Sequence, residues 1–388
     1  MSSSPLNILF LPKWYPHEAD PFDGNFIENY AHAIKRIANL TVLFVHSDPR
    51  NDEDFRFEET DNEGIREMRV FFKKARSPIA PLNRVINLLR YIKAQRLGYQ
   101  RLFQEKAPDL VHVHVLARSS FLALHLLKKR IPFVISEHWS GYLPESAALK
   151  NSGKSVFYRM IGKKAKGIHT VTNHLAVAMR NHGIDNHYHV IPNVVKEDLF
   201  RPMAAEESEK IKILYVGNIL QSPKRIFDTI KAFAEIKLKR QDFQLDIYGE
   251  GNELDKMQAL ITKLKLDQHI FYCGTTDRAG IAMEMAKADF LFLNSEFENQ
   301  PCVINESLCC GTAVVVPNIE GILEFMDDDF GLTFQRSDED AFISSILQMM
   351  DTHEDYKKEL IRDKAIKRFG EEAIAQEFLS FYQKAIKE

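Results

Sequence analysis

Short apolar runs recur along the chain, and most are followed by a polar loop and then by apolar positions at helical spacing. Asn7 to Leu11 reads as a strand, KWYPHEADPFDGNF as a loop, and IENYAHAIKRIA as an amphipathic helix. Further strands are predicted at Leu40 to His46, Leu110 to Val115, Phe133 to Ser136, Gly167 to Thr172 and Tyr188 to Ile191, with helices through Phe157 to Lys166 and His174 to Asn181. Asp52 to Glu67 reads as an acidic, exposed loop. Lys196 to Lys210 is polar and acidic, as a linker is, and the rhythm then restarts with strand Ile211 to Val216, loop GNILQSPKR, helix Ile226 to Lys237, strand Gln244 to Tyr248 and a helix from Leu254. A rhythm that restarts after a linker predicts two similar α/β domains facing a central cleft, a common place for a ligand.

The stretch Leu291 to Met326 concentrates candidate chemistry. It reads as an apolar strand, an acidic loop, a short helix beginning near Pro301 and closed by Gly311, a strand Ala313 to Val316, and a loop carrying Glu320, Gly321 and Glu324. Glu298 falls in the loop after the first strand and Glu306 on the helix. Ligands collect at the carboxyl ends of strands in open α/β sheets, and free N–H groups at a helix start attract phosphate. A carboxylate on that helix can accept from two vicinal ribose hydroxyls. The same two carboxylates could also form the acid and base of a hydrolase; the position of Glu306 on the helix favours the nucleotide reading.

Composition narrows the partners. The 388 residues carry a formal net charge of -3, which gives no global signature of a nucleic-acid binder, so any basic surface must be local. One local candidate runs from Phe71 to Lys106, where Lys73, Lys74, Arg76, Arg84, Arg90, Lys93, Arg96 and Arg101 interleave with aliphatic residues. Two readings stay open: docking on an anionic membrane surface, or a domain helix with a solvated basic face and a buried apolar one. The N-terminal residues lack a basic region before a short apolar run interrupted by Pro12 and Lys13, so a cytoplasmic chain is expected. The four cysteines lack paired metal-site spacing and are read as buried reduced thiols. No aspartate-rich metal motif stands out. Gly24 at a helix start and His138 just after a strand are candidate ligand contacts. GNILQSPKR pairs Gly217 with Lys224 and Arg225 but lacks the P-loop pattern, and GEG at Gly249 to Gly251 is read as turn glycines.

SEFENQPCVINESLCCGTAVV, taken with VTNHLAVAMRNHGI, VIPNVVKEDLF, ILYVGNILQSPKR, LDIYGEGNEL and GIAMEMAKADFLFLNS, resembles the ordered motif set of the retaining family 4 glycosyltransferases. The resemblance covers nearly the whole chain and implies the GT-B architecture of two Rossmann-like domains: residues 1–200 binding acceptor, 201–370 binding a nucleotide sugar, and a helix over 371–388 packing back on the first. It implies a UDP- or GDP-sugar as donor substrate, with no other cofactor and no metal, and a hydroxyl acceptor in bacterial surface polysaccharide or lipid-linked glycan synthesis. Glu306 matches the ribose ligand, Glu298 the group against the sugar or phosphates, and Lys224 the lysine that pairs with the diphosphate. Gly24 and Gly217 match glycines near the phosphates, His138 the residue beside the transferred sugar, and Asn299, Gln300, Pro301, Cys302 and Val303 the backbone around sugar and phosphate. His138, Lys224 and Glu298 are the implied catalytic groups. Asn218 stands where the family usually has an arginine, and Arg225 is the candidate replacement; Val194 and Glu320 also depart from common glycines. A nucleotide-sugar epimerase on a similar scaffold and a non-catalytic sugar-binding module are the alternatives. The location implied is cytoplasmic, with peripheral contact at the inner face of the membrane.

Overall fold

The structure, a computed structural model, describes residues 5–49, 52–75, 78–146, 154–203 and 208–387. Arg76 of the basic stretch and residues 204–207 of the linker lie outside the described residues. The chain divides into two units, one formed by residues 1–192 and 374–388 and the other by residues 193–373.

The first unit is built on an eight-stranded sheet: β1 (Leu6–Pro12), β2 (Ala38–Ser47), β3 (Phe55–Asn62), β4 (Ile65–Phe72), β5 (Leu110–His114), β6 (Phe133–Glu137), β7 (Ile168–Thr170) and β8 (Tyr188–Val190). Its order is β3-β4-β2-β1-β5-β6-β7-β8, parallel throughout except for β3, which pairs antiparallel with β4. The acidic loop expected over Asp52 to Glu67 is therefore a hairpin. Phe55 and Phe57 pack on the core while Glu59, Thr60 and Asp61 face water, and that polar load suits an edge strand. β5 and β6 are buried along their whole length, as strands covered on both faces must be.

The second unit holds six parallel strands: β9 (Ile211–Val216), β10 (Phe243–Tyr248), β11 (Ile270–Gly274), β12 (Phe290–Phe292), β13 (Ala313–Pro317) and β14 (Gly331–Phe334). Their order, β11-β10-β9-β12-β13-β14, is that of a doubly wound sheet built outward in both directions from β9. The order reverses between β9 and β12, so the loops after these neighbours diverge and leave a crevice at their carboxyl ends. The polar segment after residue 195 already belongs to this unit: Val195 N donates to Phe369 O (2.8 Å) and Phe200 is buried in its core. Residues 320–323, expected in a loop, form a short helix. Of the four cysteines, Cys309 and Cys310 are buried and Cys302 is half-buried, but Cys273 is exposed because β11 is the edge strand of its sheet.

Candidate functional site

In the second unit the loop after β9 carries Gly217, Asn218, Lys224 and Arg225, and the loop after β12 carries Glu298 to Pro301. The two loops are bolted together. Glu296 N donates to Pro223 O (2.8 Å) and Ser222 Oγ to Glu296 Oε2 (3.0 Å). Lys224 Nζ forms an ion pair with Glu298 Oε1, whose acceptor capacity is shared with Ser295 Oγ (2.8 Å). Both partners of the pair are only about 15% exposed, at 16% and 14%, so bulk water screens it weakly. A cation and a carboxylate from separate loops thus meet at the sheet's switch point.

Arg225 sits elsewhere in this arrangement. It is the N-cap of helix Ile226–Lys239 with φ 54°, and its Nε bonds Asp228 Oδ2 at 3.0 Å, so its guanidinium is already held by its own helix. Asn218 is exposed, and its carbonyl accepts from the buried Tyr215 hydroxyl (3.0 Å), which fixes the backbone beside Gly217.

The loop after β12 is held from behind. Asn193, the first residue of the unit, donates its backbone N–H to Gln300 Oε1 (2.5 Å) and its side-chain amide to Gln300 O (2.9 Å), and it accepts from Asn305 Nδ2 (3.1 Å). Gly321 lies against the Asn299 carbonyl, where any Cβ would collide with that oxygen. Asn299 and Gln300 are consequently buried, with Pro301, Cys302 and Val303 half-buried at the start of helix Cys302–Cys309. Glu306 lies on this helix, half-buried, and receives no hydrogen bond from the described residues. Burial pushes its carboxyl up to about 7, while the Arg278 guanidinium opposes that shift. Arg278 opens helix Arg278–Lys287, and one of its terminal nitrogens is buried without a hydrogen-bond partner.

In the first unit Gly24 and His138 both lie at the carboxyl end of the sheet. Gly24 adopts φ 65°, and a Cβ there would lie 2.5 Å from the Trp14 backbone, so only glycine lets the loop after β1 close on helix Asn25–Ile34. Phe26 of that helix packs on the His138 ring at 4.8 Å, which brings the two candidates to one neighbourhood. Burial and the nearby His169 and His114 hold the His138 imidazole well below its usual pKa, so it is neutral.

Sequence reading missed Glu137. Its buried carboxylate accepts from the backbone N–H groups of Leu116 (2.9 Å), His138 (2.9 Å) and Trp139 (3.0 Å), tying the loops after β5 and β6 together. Burial pushes this carboxyl up, and the three donors pull it back down. Also missed was a buried relay behind His138. The Ile191 carbonyl can only accept, so His169 Nε2 donates to it (2.7 Å); Ser136 Oγ then donates to His169 Nδ1 (2.6 Å) and His112 Nε2 to Ser136 Oγ (2.6 Å). Tyr382 Oη completes the relay by donating to His112 Nδ1 (2.7 Å). The alternation in Val111-His112-Val113-His114 is the one sequence signal for it, since it puts both rings on one face of β5.

Comparison with known proteins places these features. The sequence pattern of the glycosyl transferase 4-like domain matches residues 27–194, and that of the glycosyl transferases group 1 family matches residues 196–368. The chain is 24% identical to N-acetyl-alpha-D-glucosaminyl L-malate synthase of Bacillus anthracis over 304 residues, covering 74% of this chain and 77% of that protein. Its fold is similar to sucrose-phosphate synthase from Thermosynechococcus elongatus (TM-score 0.78, 17% identity, 98% of this chain and 99% of that one). It is also similar to Anabaena HepE in complex with UDP (TM-score 0.69, 15% identity, 97% and 100%). Two family patterns in tandem over two Rossmann-like units identify the chain as a member of the family 4 glycosyltransferases, with the GT-B fold.

Proposed function

We propose that this glycosyltransferase moves a sugar from a UDP- or GDP-sugar to a hydroxyl acceptor, with retention at the anomeric carbon and without a metal ion. The observation that carries the reading is the Lys224–Glu298 pair at the switch point of the second sheet, with Glu306 on the next helix. That Anabaena HepE is seen in complex with UDP supports a nucleotide donor. Glu306 accepts the ribose hydroxyls, and the backbone of residues 299–303 lines the phosphate and sugar, held in place by Asn193 and Gly321. Gly217 and Asn218 border the diphosphate. Arg225 acts as the second cation only by leaving Asp228.

In the reaction the bond between the anomeric carbon and the diphosphate oxygen breaks, and a bond to the acceptor oxygen forms on the same face. The acceptor's proton passes to the departing diphosphate. Lys224 stabilises the charge that builds on that leaving group, and Glu298, released from the lysine, holds sugar hydroxyls. For the first unit we assign Gly24 to the donor phosphates and the neutral His138 to the transferred sugar, as a hydrogen-bonding group. The acceptor belongs to bacterial surface polysaccharide or lipid-linked glycan synthesis, and the protein works in the cytoplasm, peripheral on the inner face of the membrane through residues 71–106.

A thermal-shift series with UDP, GDP, ADP and their glucose and N-acetylglucosamine conjugates tests the donor class, because a ligand of the native state raises the melting temperature. Proton NMR of the product's anomeric coupling then reads retention. A β-linked product from an α-linked donor overturns the retaining step, and release of an epimerised nucleotide sugar without acceptor overturns the transferase reading.

A further inference from the structure

An open cavity of the first unit lies at the opposite end of its sheet from Gly24 and His138. It measures about 370 Å³, and its lining includes Lys166, Arg180, His187, His189 and Lys384 but no carboxylate. Lys166 shortly precedes β7 and His187 immediately precedes β8, which puts the cavity at the amino ends of these strands. One wall is the last turns of the C-terminal helix Glu371–Lys387, where Phe381 packs on the His189 ring at 4.7 Å and Lys384 is exposed.

None of Lys166, Arg180 and Lys384 enters an ion pair with the described residues; Arg180 lies over the Tyr188 ring, 4.5 Å from its centre. Part of this charge has a structural use, because Arg180 and Lys384 fall in the last turns of helices Asn173–Asn181 and Glu371–Lys387. Each helix end carries roughly half a negative charge, so the three cations retain an excess of about two positive charges. Asp185 is exposed and outside the lining. A cleft lined by one sign of charge focuses its field and gathers counter-ions. Neutral donors add to the cations. β8 is the edge strand, and Ile168 N donates to His187 O (3.0 Å) while Ile191 N donates to Thr170 O (3.1 Å). By that alternation the backbone groups of His187, His189 and Ile191 face β7, and the N–H of Tyr188 turns to the open edge.

We infer that this cavity binds a small phosphate monoester, whose oxygens bridge Lys166, Arg180 and Lys384. A phosphate monoester carries about -1.5 to -2 at pH 7, which matches the excess positive charge where a carboxylate leaves about half of it unmet. Its oxygens suit the planar fork of Arg180 and the point charges of the two lysines. The volume is within the range of small-molecule pockets, so there is room for an organic group beyond the phosphate. A peptide adding a strand at the same edge would find only the three residues Tyr188–Val190 to pair with. The bound anion ties Lys384 of the C-terminal helix to Lys166 and Arg180 on the body of the unit. That helix also supplies Tyr382, which donates to His112 (2.7 Å), and Phe378, which packs on His169 at 4.9 Å, so occupancy steadies the buried relay from its outer end. The site is independent of the donor and acceptor assignments made above.

The test is acylation footprinting of the full chain, each lysine read by mass spectrometry, with methyl phosphate titrated at constant ionic strength and acetate as the control anion. Acylation of Lys166 and Lys384 slowed at least about threefold by methyl phosphate and not by acetate, with the exposed Lys239 of the second unit unaffected, supports the site. In Arg180→Gln the midpoint of that protection should rise at least about tenfold, because a charged contact to the phosphate is lost. In Lys224→Ala it should stay where it is. Arg180 is exposed, so its variant is expected to fold, and protection in the native chain is read whether or not it does. Absence of protection overturns the site, and equal protection by acetate or at Lys239 overturns it as a general ion effect. Protection undiminished in Arg180→Gln overturns the bridge, and protection lost in Lys224→Ala assigns the phosphate to the loop after β9 and overturns the cavity.

Discussion

Glu306 offers the sharpest check, because its protonation state has to change over ordinary working pH. Burial on helix Cys302–Cys309 pushes its carboxyl from 4.5 up to about 7 despite Arg278. In the role proposed for Glu306, ribose hydroxyls donate to the ionised form, so donor affinity should scale with the ionised fraction. That fraction is about one in eleven at pH 6 and about ten in eleven at pH 8, so the dissociation constant for the nucleotide is expected to fall about tenfold over that range. Stability of the free protein moves the other way. With its pKa raised in the native state, the carboxyl binds more protons folded than unfolded between 4.5 and about 7, so its contribution is present at low pH and is lost as pH rises through 7. The ceiling on that loss is about 3 kcal/mol, reduced in practice because the side chain is half-buried and partly screened by solvent. Isothermal titration with UDP and GDP from pH 5.5 to 8.5, on the native protein and on E306Q, reads the binding limb. E306Q should bind weakly and without the pH step. A native titration curve flat between pH 6 and 8, or a step that persists in E306Q, would show that Glu306 is not the ribose acceptor.

Lys224→Ala removes the cation proposed for the leaving group and strands Glu298 at 14% exposure, so kcat should fall about 100-fold or more; steady-state rates with saturating donor measure it, and a loss confined to KM would reassign the lysine to ground-state binding. Asn193→Asp should set a carboxylate against the Gln300 carbonyl and cost about 1–3 kcal/mol, with faster amide exchange over residues 296–303 and a raised donor KM; unchanged exchange there would refute the clamp. Gly24→Ala should cost at least about 2 kcal/mol, from a left-handed backbone and a Cβ that meets the Trp14 backbone, read as the shift of a urea midpoint. The histidine relay predicts acid lability: His169 titrates near 6.5 unfolded and near 4 folded, so the unfolded chain binds more protons in between and stability falls as pH drops through that window. Both tryptophans, Trp14 and Trp139, lie in the first unit, so their fluorescence follows this loss apart from Glu306 in the second. A midpoint constant from pH 7 to 5 would count against it.

The β-α rhythm was legible because buried parallel strands are near-continuous apolar runs. The hairpin β3-β4 was not. Glu58, Glu59, Asp61 and Asn62 gave it the composition of a loop, although Phe55 and Phe57 already alternate with polar positions. Spacing put Glu298 in a loop and Glu306 on a helix, yet it could not show Lys224 reaching Glu298 across seventy-four residues of sequence, since that meeting depends on β9 and β12 being neighbours in the sheet. Nor could it show Arg225 turning to Asp228: both were visible at i,i+3, but a cation in a phosphate-like loop has the same letters whether it is held by its helix or free. Glu137 was passed over for a like reason, as its three ligands are backbone N–H groups that leave no mark in the sequence.

The basic stretch before β5 shows why periodicity alone could not choose between its two readings. A helical repeat of aliphatic and basic residues fixes which side chains share a face, but not which face meets the sheet. The choice is made by the partners available. Tyr91 is covered by Arg118, and Gln95 Nε2 finds the Ser119 carbonyl in the loop after β5, which offsets part of the penalty for burying that amide, while its Oε1 is buried without a hydrogen-bond partner among the described residues. With that face taken, Leu82, Val85 and Leu89 are left in water, where burying them against another surface would contribute roughly 1.5–3 kcal/mol each. On the peripheral location proposed for residues 71–106, losing the three aliphatic side chains should lower turnover of a bilayer-borne acceptor while leaving turnover of a soluble one unchanged.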